Sequence, residues 1–190
     1  GIYYNRGIEY FNKSDYDQAI SDYSEALRLD PRYSLAFNNR GNAYYKKKDY
    51  EHAISDYNNA MQYDPKLALP YYNRGLVYDD KNDYEKAMAD YNQAIKLDPK
   101  DAASYDNRGD AYIKKNDYDR AIADYNTVID LEPAPGALLN RGSAYFSKGQ
   151  YQEASADFGR AIQMKPNYAE AFYNRATAAA AMGDPNASIP

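Results

Sequence analysis

A guanidinium recurs along this sequence at near-constant intervals, and a carboxylate follows it at a constant distance. Arginine stands at Arg6, Arg40, Arg74, Arg108, Arg141 and Arg175, at spacings of 34, 34, 34, 33 and 34 residues. Aspartate stands 16 residues after the first five of these, at Asp22, Asp56, Asp90, Asp124 and Asp157. A planar cation in step with a carboxylate forms bidentate ion pairs. The expectation is therefore a repeated structural pair, typified by Arg40, Arg74 and Arg108 with Asp22, Asp56, Asp90 and Asp124. The rival chemistry is an arginine ladder open to an acidic ligand. An asparagine precedes each of these six arginines: Asn5, Asn39, Asn73, Asn107, Asn140 and Asn174. An amide both donates and accepts, so such a row is suited to gripping an extended peptide backbone without reading its side chains. Hydrogen bonding within the fold is the competing use.

Other chemistry is thinly supplied. The chain has 1 histidine and no cysteine, which removes disulfides and thiolate chemistry and leaves little for histidine metal sites or a histidine base. His52 falls where the other copies carry Gln18, Lys86, Arg120 and Glu153, and so reads as a surface residue. Carboxylates are plentiful, but their register makes them caps and solvated faces, with Asp79 and Asp80 a lesser candidate for an acidic patch facing a basic peptide. No phosphate-binding loop, paired metal ligands or nucleophile beside a base can be assembled. The expectation is a non-enzyme without a cofactor. A net charge of −5 argues against nucleic acid or an anionic membrane as the main partner. No apolar run approaches the roughly 18 residues of a membrane span, and no signal peptide opens the chain. The sequence starts partway into a repeat, so a targeting segment outside it is left open. The cytoplasm is the favoured compartment.

The elements that hold these side chains follow from the same period. With Gly7 as position eight of a repeat, tyrosine occupies position eleven (Tyr10, Tyr44, Tyr78, Tyr112, Tyr145) and position seventeen (Tyr16, Tyr50, Tyr84, Tyr118, Tyr151). Position twenty is always alanine: Ala19, Ala53, Ala87, Ala121 and Ala154. Position twenty-four is Tyr23, Tyr57, Tyr91, Tyr125 and Phe158, and position thirty-two is Pro31, Pro65, Pro99, Pro133 and Pro166. Ala19, Ile20, Tyr23, Ala26 and Leu27 recur at helical spacing, which predicts a second helix with one apolar face. Tyr3, Gly7, Tyr10 and Phe11 do the same for the first helix. Asp15, Asp49, Asp83 and Asp117 are candidate N-caps of the second helices. Proline ends each unit because it cannot continue a helix.

This pattern resembles the tetratricopeptide repeat family over essentially the whole chain, in its small residues, its aromatics and its terminal proline. It departs from the family's usual leucine at position seven, where arginine stands in every copy. The resemblance implies an all-α fold, a right-handed superhelical solenoid of antiparallel helix pairs. The repeats are 1–33, 34–67, 68–101, 102–134 and 135–168, with a partial repeat at 169–190, all in one array. Family geometry turns position seven toward the second helices and lines a concave groove with positions two, five, six, nine, twelve and thirteen. Besides the asparagine row, Asn38, Asn42, Tyr45, Lys46, Tyr72 and Leu76 are then groove candidates, Tyr45 and Tyr72 as aromatic anchors. Groove positions two and five carry no lysine or arginine, so chaperone C-terminal tails are not expected there. The implied function is a scaffold binding a protein or peptide segment in the groove. The rivals are self-association through the solenoid ends and service as a regulatory domain of a larger protein. The missing residue between Pro133 and Leu138 is expected to alter stacking slightly without breaking the array.

Overall fold

The computed structural model describes residues 1–183, so the part of the last repeat at 184–190 lies outside the described residues. The described residues form eleven α-helices and no strand. They group into two compact units, Gly1–Pro99 and Lys100–Pro190, with the boundary between the third and fourth repeats. The first unit holds α1 (Ile2–Asn12), α2 (Tyr16–Leu29), α3 (Ser34–Lys46), α4 (Tyr50–Tyr63), α5 (Ala68–Asp80) and α6 (Tyr84–Leu97). The second holds α7 (Ala102–Lys114), α8 (Tyr118–Leu131), α9 (Pro135–Ser147), α10 (Tyr151–Met164) and α11 (Ala169–Ala181). Within each unit every helix packs on the next. Alternate helices also touch, α1 with α3 and α3 with α5 in the first unit, α9 with α11 in the second.

Local chemistry sets the helix ends. Asp15, Asp49, Asp83 and Asp117 each cap a second helix, accepting from the backbone N–H of Gln18, His52, Lys86 and Arg120 at 3.2–3.3 Å. Just before each cap the chain turns through a left-handed residue: Ser14, Lys48, Asn82 and Asn116 have φ between 58° and 61°. In the fifth repeat that residue is Gly149, the type best suited to positive φ, but the cap is Gln150, whose side chain makes no capping bond. Gln150→Asp is expected to stabilise the protein by about 1 kcal/mol. A higher urea midpoint with an unchanged slope would show it.

The interior of each hairpin is built from matched small and large residues. Ala19, Ala53, Ala87, Ala121 and Ala154 are fully buried, as is the aromatic ring at position twenty-four in every repeat. Each ring lies against a glycine on the facing first helix. Position ten, which the tripeptide register does not highlight, is without exposed surface at Ala43, Val77, Ala111, Ala144 and Ala178, and within a unit Ala43, Val77 and Ala178 seal one repeat against the next. The missing residue of the fourth repeat is absorbed in the connection. Glu132–Ala134 link α8 to α9, where Asp30–Tyr33 link α2 to α3, and Pro135 opens α9 at a position where its absent N–H is no loss.

A candidate peptide-binding face on the first helices

The arginines do not line the groove. Each of the first five lies across its own hairpin, with Nε and Nη2 donating to the two oxygens of the aspartate 16 residues on. The distances are 2.7 and 2.7 Å for Arg40–Asp56, 2.8 and 2.6 Å for Arg74–Asp90, and 2.8 and 2.5 Å for Arg108–Asp124. Arg6–Asp22 and Arg141–Asp157 repeat the geometry. The aspartates are buried, whereas the arginines keep part of their surface. A third arm reaches the preceding repeat: Nη1 of Arg40 donates to Ser24 Oγ at 2.9 Å, that of Arg141 to Asn126 Oδ1 at 2.6 Å, and that of Arg74 to Asn58 Oδ1. One guanidinium thus joins three helices, a role the sequence period hides because the third partner varies.

The asparagine row also turns inward. In the first unit Asn73 Nδ2 donates to Asn38 Oδ1 at 2.9 Å, Asn38 Nδ2 to Asn39 Oδ1 at 3.1 Å, and Asn39 Nδ2 to the Tyr4 hydroxyl at 3.0 Å. This relay ties the first helices of three successive repeats. Asn38 is its hub and is buried, 2% exposed, which corrects its assignment to the groove: an amide enclosed between α3 and α5 has no surface for a ligand. In the second unit Asn140 Nδ2 donates to Asp106 Oδ1 at 3.3 Å, and Asn107 Nδ2 to the carbonyl of Ala103 in its own helix. Asn5 is exposed, and Asn174 lies half-buried in a cavity wall.

The other groove candidates lie on the same face. Asn42 accepts from the Tyr57 hydroxyl at 2.8 Å, while Leu76 and Tyr72 are half-buried, the Tyr72 ring 6.1 Å from that of Tyr91. Tyr45 packs beside Tyr50, with the exposed Lys46 ammonium 5.9 Å from its ring centre. Burial, then a hydrogen bond to Asp80, raises the Tyr45 phenol above its ordinary range. The Tyr50 hydroxyl donates to Asp80 Oδ2 at 3.2 Å, so Asp80 is engaged by neighbouring tyrosines.

Between successive first helices the face opens into cavities at one register. In the first unit, one of about 220 Å³ is lined by Ile8, Phe11, Asn12, Tyr23, Asn39 and Asn42. In the second unit, one of about 230 Å³ includes Asp110, Ile113, Tyr125 and Asn140, and an adjoining one of about 140 Å³ includes Phe146, Phe158, Asn174 and Thr177. The floor of each is the position-twenty-four ring, and the walls are positions six, nine, twelve and thirteen. Asp106, Asp110 and Phe146 join the face here. The sequence register places them on it, but nothing in their types marks them out until their neighbours are known.

Among the described residues no group of three or more His, Cys, Asp or Glu side chains is placed to hold a metal ion. No described helix is long and apolar enough to cross a membrane. His52 is exposed, its ring stacked 5.0 Å from that of Tyr44 and its Nδ1 2.8 Å from Asp49.

Comparison with known proteins places this geometry. A TPR repeat model matches residues 7–48, 41–79, 109–146 and 142–183, and tetratricopeptide repeat models match 68–101 and 90–123. The comparison with curated protein sequences gives no match. Among solved structures, the MamA protein is 27% identical with a TM-score of 0.78, over 89% of this chain and 93% of that one. YrrB, described as a TPR protein with an unusual peptide-binding site, is 22% identical with a TM-score of 0.76, over 90% of this chain and 89% of that one. PilF of Pseudomonas aeruginosa is 18% identical with a TM-score of 0.84, over 98% of this chain and 85% of that one. The last two likenesses speak to fold alone. Repeats of this kind are in general protein–protein interaction scaffolds, and their fold is typically non-catalytic. With helix pairs, register and family models in agreement, the chain belongs to the tetratricopeptide repeat family.

Proposed function

We propose that this protein is an interaction module that holds an extended segment of a partner protein along its first-helix face. The observation that carries the reading is the recurrence of cavities at one register between successive first helices, each with an aromatic floor and an amide in or beside its wall. A surface that repeats with the helix pair suits a ligand that also repeats, namely an extended backbone with side chains at regular intervals. Asn73 spends one N–H on the inter-repeat relay and retains a second N–H for a ligand carbonyl, whereas the Asn39 amide is engaged by both Tyr4 and Tyr23. The triple variant Asn39→Ala, Asn73→Ala, Asn107→Ala is expected to lose peptide-array binding by about tenfold or more, as the removal of an interface hot spot does. Binding that survives intact in a variant with a normal melting curve would sink the proposal.

A second reading, self-association, is favoured by the exposed Ile2 and Leu29, which border one cavity at the start of the first unit. A strict monomer in light scattering over a concentration series would remove it.

A further inference from the structure

Five carboxylates of this chain lie deep between helices, and an arginine meets each of them with two hydrogen bonds. Asp106 and Asp110 depart from that pattern. They sit one turn apart on α7, half-buried, on the first-helix face of the second unit. Asp106 is met by the Asn140 amide at 3.3 Å and Asp110 by the Tyr125 hydroxyl at 2.6 Å, both neutral donors. Burial is the main cause that pushes both carboxyls above their usual range, and for Asp106 the neighbouring Asp110 adds to it. Lys114 borders the same cavity and lowers Asp110 through space, but it is exposed and makes no ion pair with either carboxylate among the described residues. The five deep carboxylates each hold an arginine, whereas these two half-buried ones form no ion pair among the described residues.

The surroundings say what kind of cation fits. Asp110 forms part of the cavity between α7 and α9, and Ser143 and Ser147 carry that cavity into the next, which is lined by Phe146 and Thr177. With no third acidic or histidine ligand grouped there, the pair suits an ammonium or guanidinium rather than a bare divalent ion, which asks for six or more oxygens. First helices of successive repeats touch, as α9 does α11, so the step between them is about the 8–10 Å of packed helices. A polyproline-II segment advances about 3.1 Å per residue and returns to the same side every third residue, which matches that step. A β-strand brings side chains back to one side after only about 7 Å.

We infer that the α7–α9–α11 face selects an extended protein segment carrying a lysine or arginine against Asp106 and Asp110 and an apolar side chain three residues away in the Phe146 cavity. The inference rests on the reading of the first-helix face as the ligand surface, and it adds the chemistry of the partner. Charge complementarity carries it: the acceptors are already desolvated and held by Asn140 and Tyr125, so a cation arriving there needs little rearrangement.

Fluorescence anisotropy on the whole chain tests it with three kinds of labelled peptide in a proline–alanine background. One has a lysine three residues from a leucine, in both orders. One replaces that lysine by glutamate. One closes the spacing to two residues. The lysine peptide in one order is expected to bind about tenfold or more tighter than the glutamate peptide, and the closed spacing is expected to weaken it. The double variant Asp106→Asn, Asp110→Asn, which keeps the shape and the acceptor for Tyr125, is expected to erase the lysine preference with its melting temperature held or raised. If lysine and glutamate peptides bind alike, and Phe146→Ala weakens both, the cation preference is wrong while the face remains the ligand surface. If no peptide binds, or binding ignores both the asparagine and the Phe146 variants, the inference and the reading beneath it fall together.

Discussion

Arg40→Met is expected to destabilise the protein by about 3–5 kcal/mol, because it strands a buried carboxylate without its cation. Asp56 is 3% exposed and takes both of its charge-assisted hydrogen bonds from Arg40. Burial, the largest single influence, lowers the affinity of Arg40 for its proton, but the hydrogen bonds to Asp56 and the charge of Asp56 together outweigh it and leave the guanidinium raised. Asp56 is raised as well, since burial outweighs the pairing there. The pair therefore does not stabilise the fold merely by being charged. Its two halves tolerate burial only together, and Met with Leu in their place should recover most of the loss. The double variant Arg40→Met, Asp56→Leu tests that, and a double as weak as the single would overturn this account.

The pH dependence follows from the same direction. A carboxyl whose folded pKa lies above its unfolded value is less unfavourable once protonated, so its contribution to stability improves as pH falls through the folded pKa. Removing Arg40 strengthens that tendency. The gap in urea midpoint between Arg40→Met and the parent should narrow from pH 7 toward pH 5, and a gap that widens would refute the assignment. Arg6, which keeps half of its side chain in solvent, should give a smaller effect on substitution.

The second large effect concerns the glycine of the tripeptide. A Cβ at Gly41 would sit 2.7 Å from Cε1 and 2.9 Å from Cδ1 of Tyr57, a ring with no exposed surface whose hydroxyl is tied to Asn42. Overpacking of this kind costs about 1–3 kcal/mol, while alanine gains about 1 kcal/mol over glycine in helix propensity. Gly41→Ala should therefore come out net destabilising even though the residue is mid-helix, where propensity alone forecasts the reverse. Thermal unfolding decides it: a raised melting temperature would mean that the ring yields. Shortening the ring with Tyr57→Leu in the Gly41→Ala background should recover part of the loss, through a coupling that only contacting residues show.

The helix pairs were legible because every copy obeys the same local rules. Asp49 caps α4, Pro65 follows its end, and Ala53 and Tyr57 recur on one face, so one period of sequence describes one hairpin. Even the partner of Arg40 was legible, since Asp56 follows it at a separation that never changes. The groove was less so. Asn38 sits at a groove position by register yet is enclosed by Asn73 of the next repeat, and Tyr4 takes the amide of Asn39 from the repeat before.

What the amino-acid sequence determined by itself is whatever all copies share: the hairpin, its caps, its glycine–ring packing and the arginine–aspartate step. These depend on residues a fixed distance apart in one chain segment, so periodicity alone exposes them. Only the tertiary structure decided which amides are spent between repeats, where the third arms of Arg40, Arg74 and Arg141 land, and that Asp106 and Asp110 form no ion pair among the described residues. Those depend on pairs of variable residues brought together by stacking, and on desolvation, which is a property of the space around a group rather than of its place in the sequence.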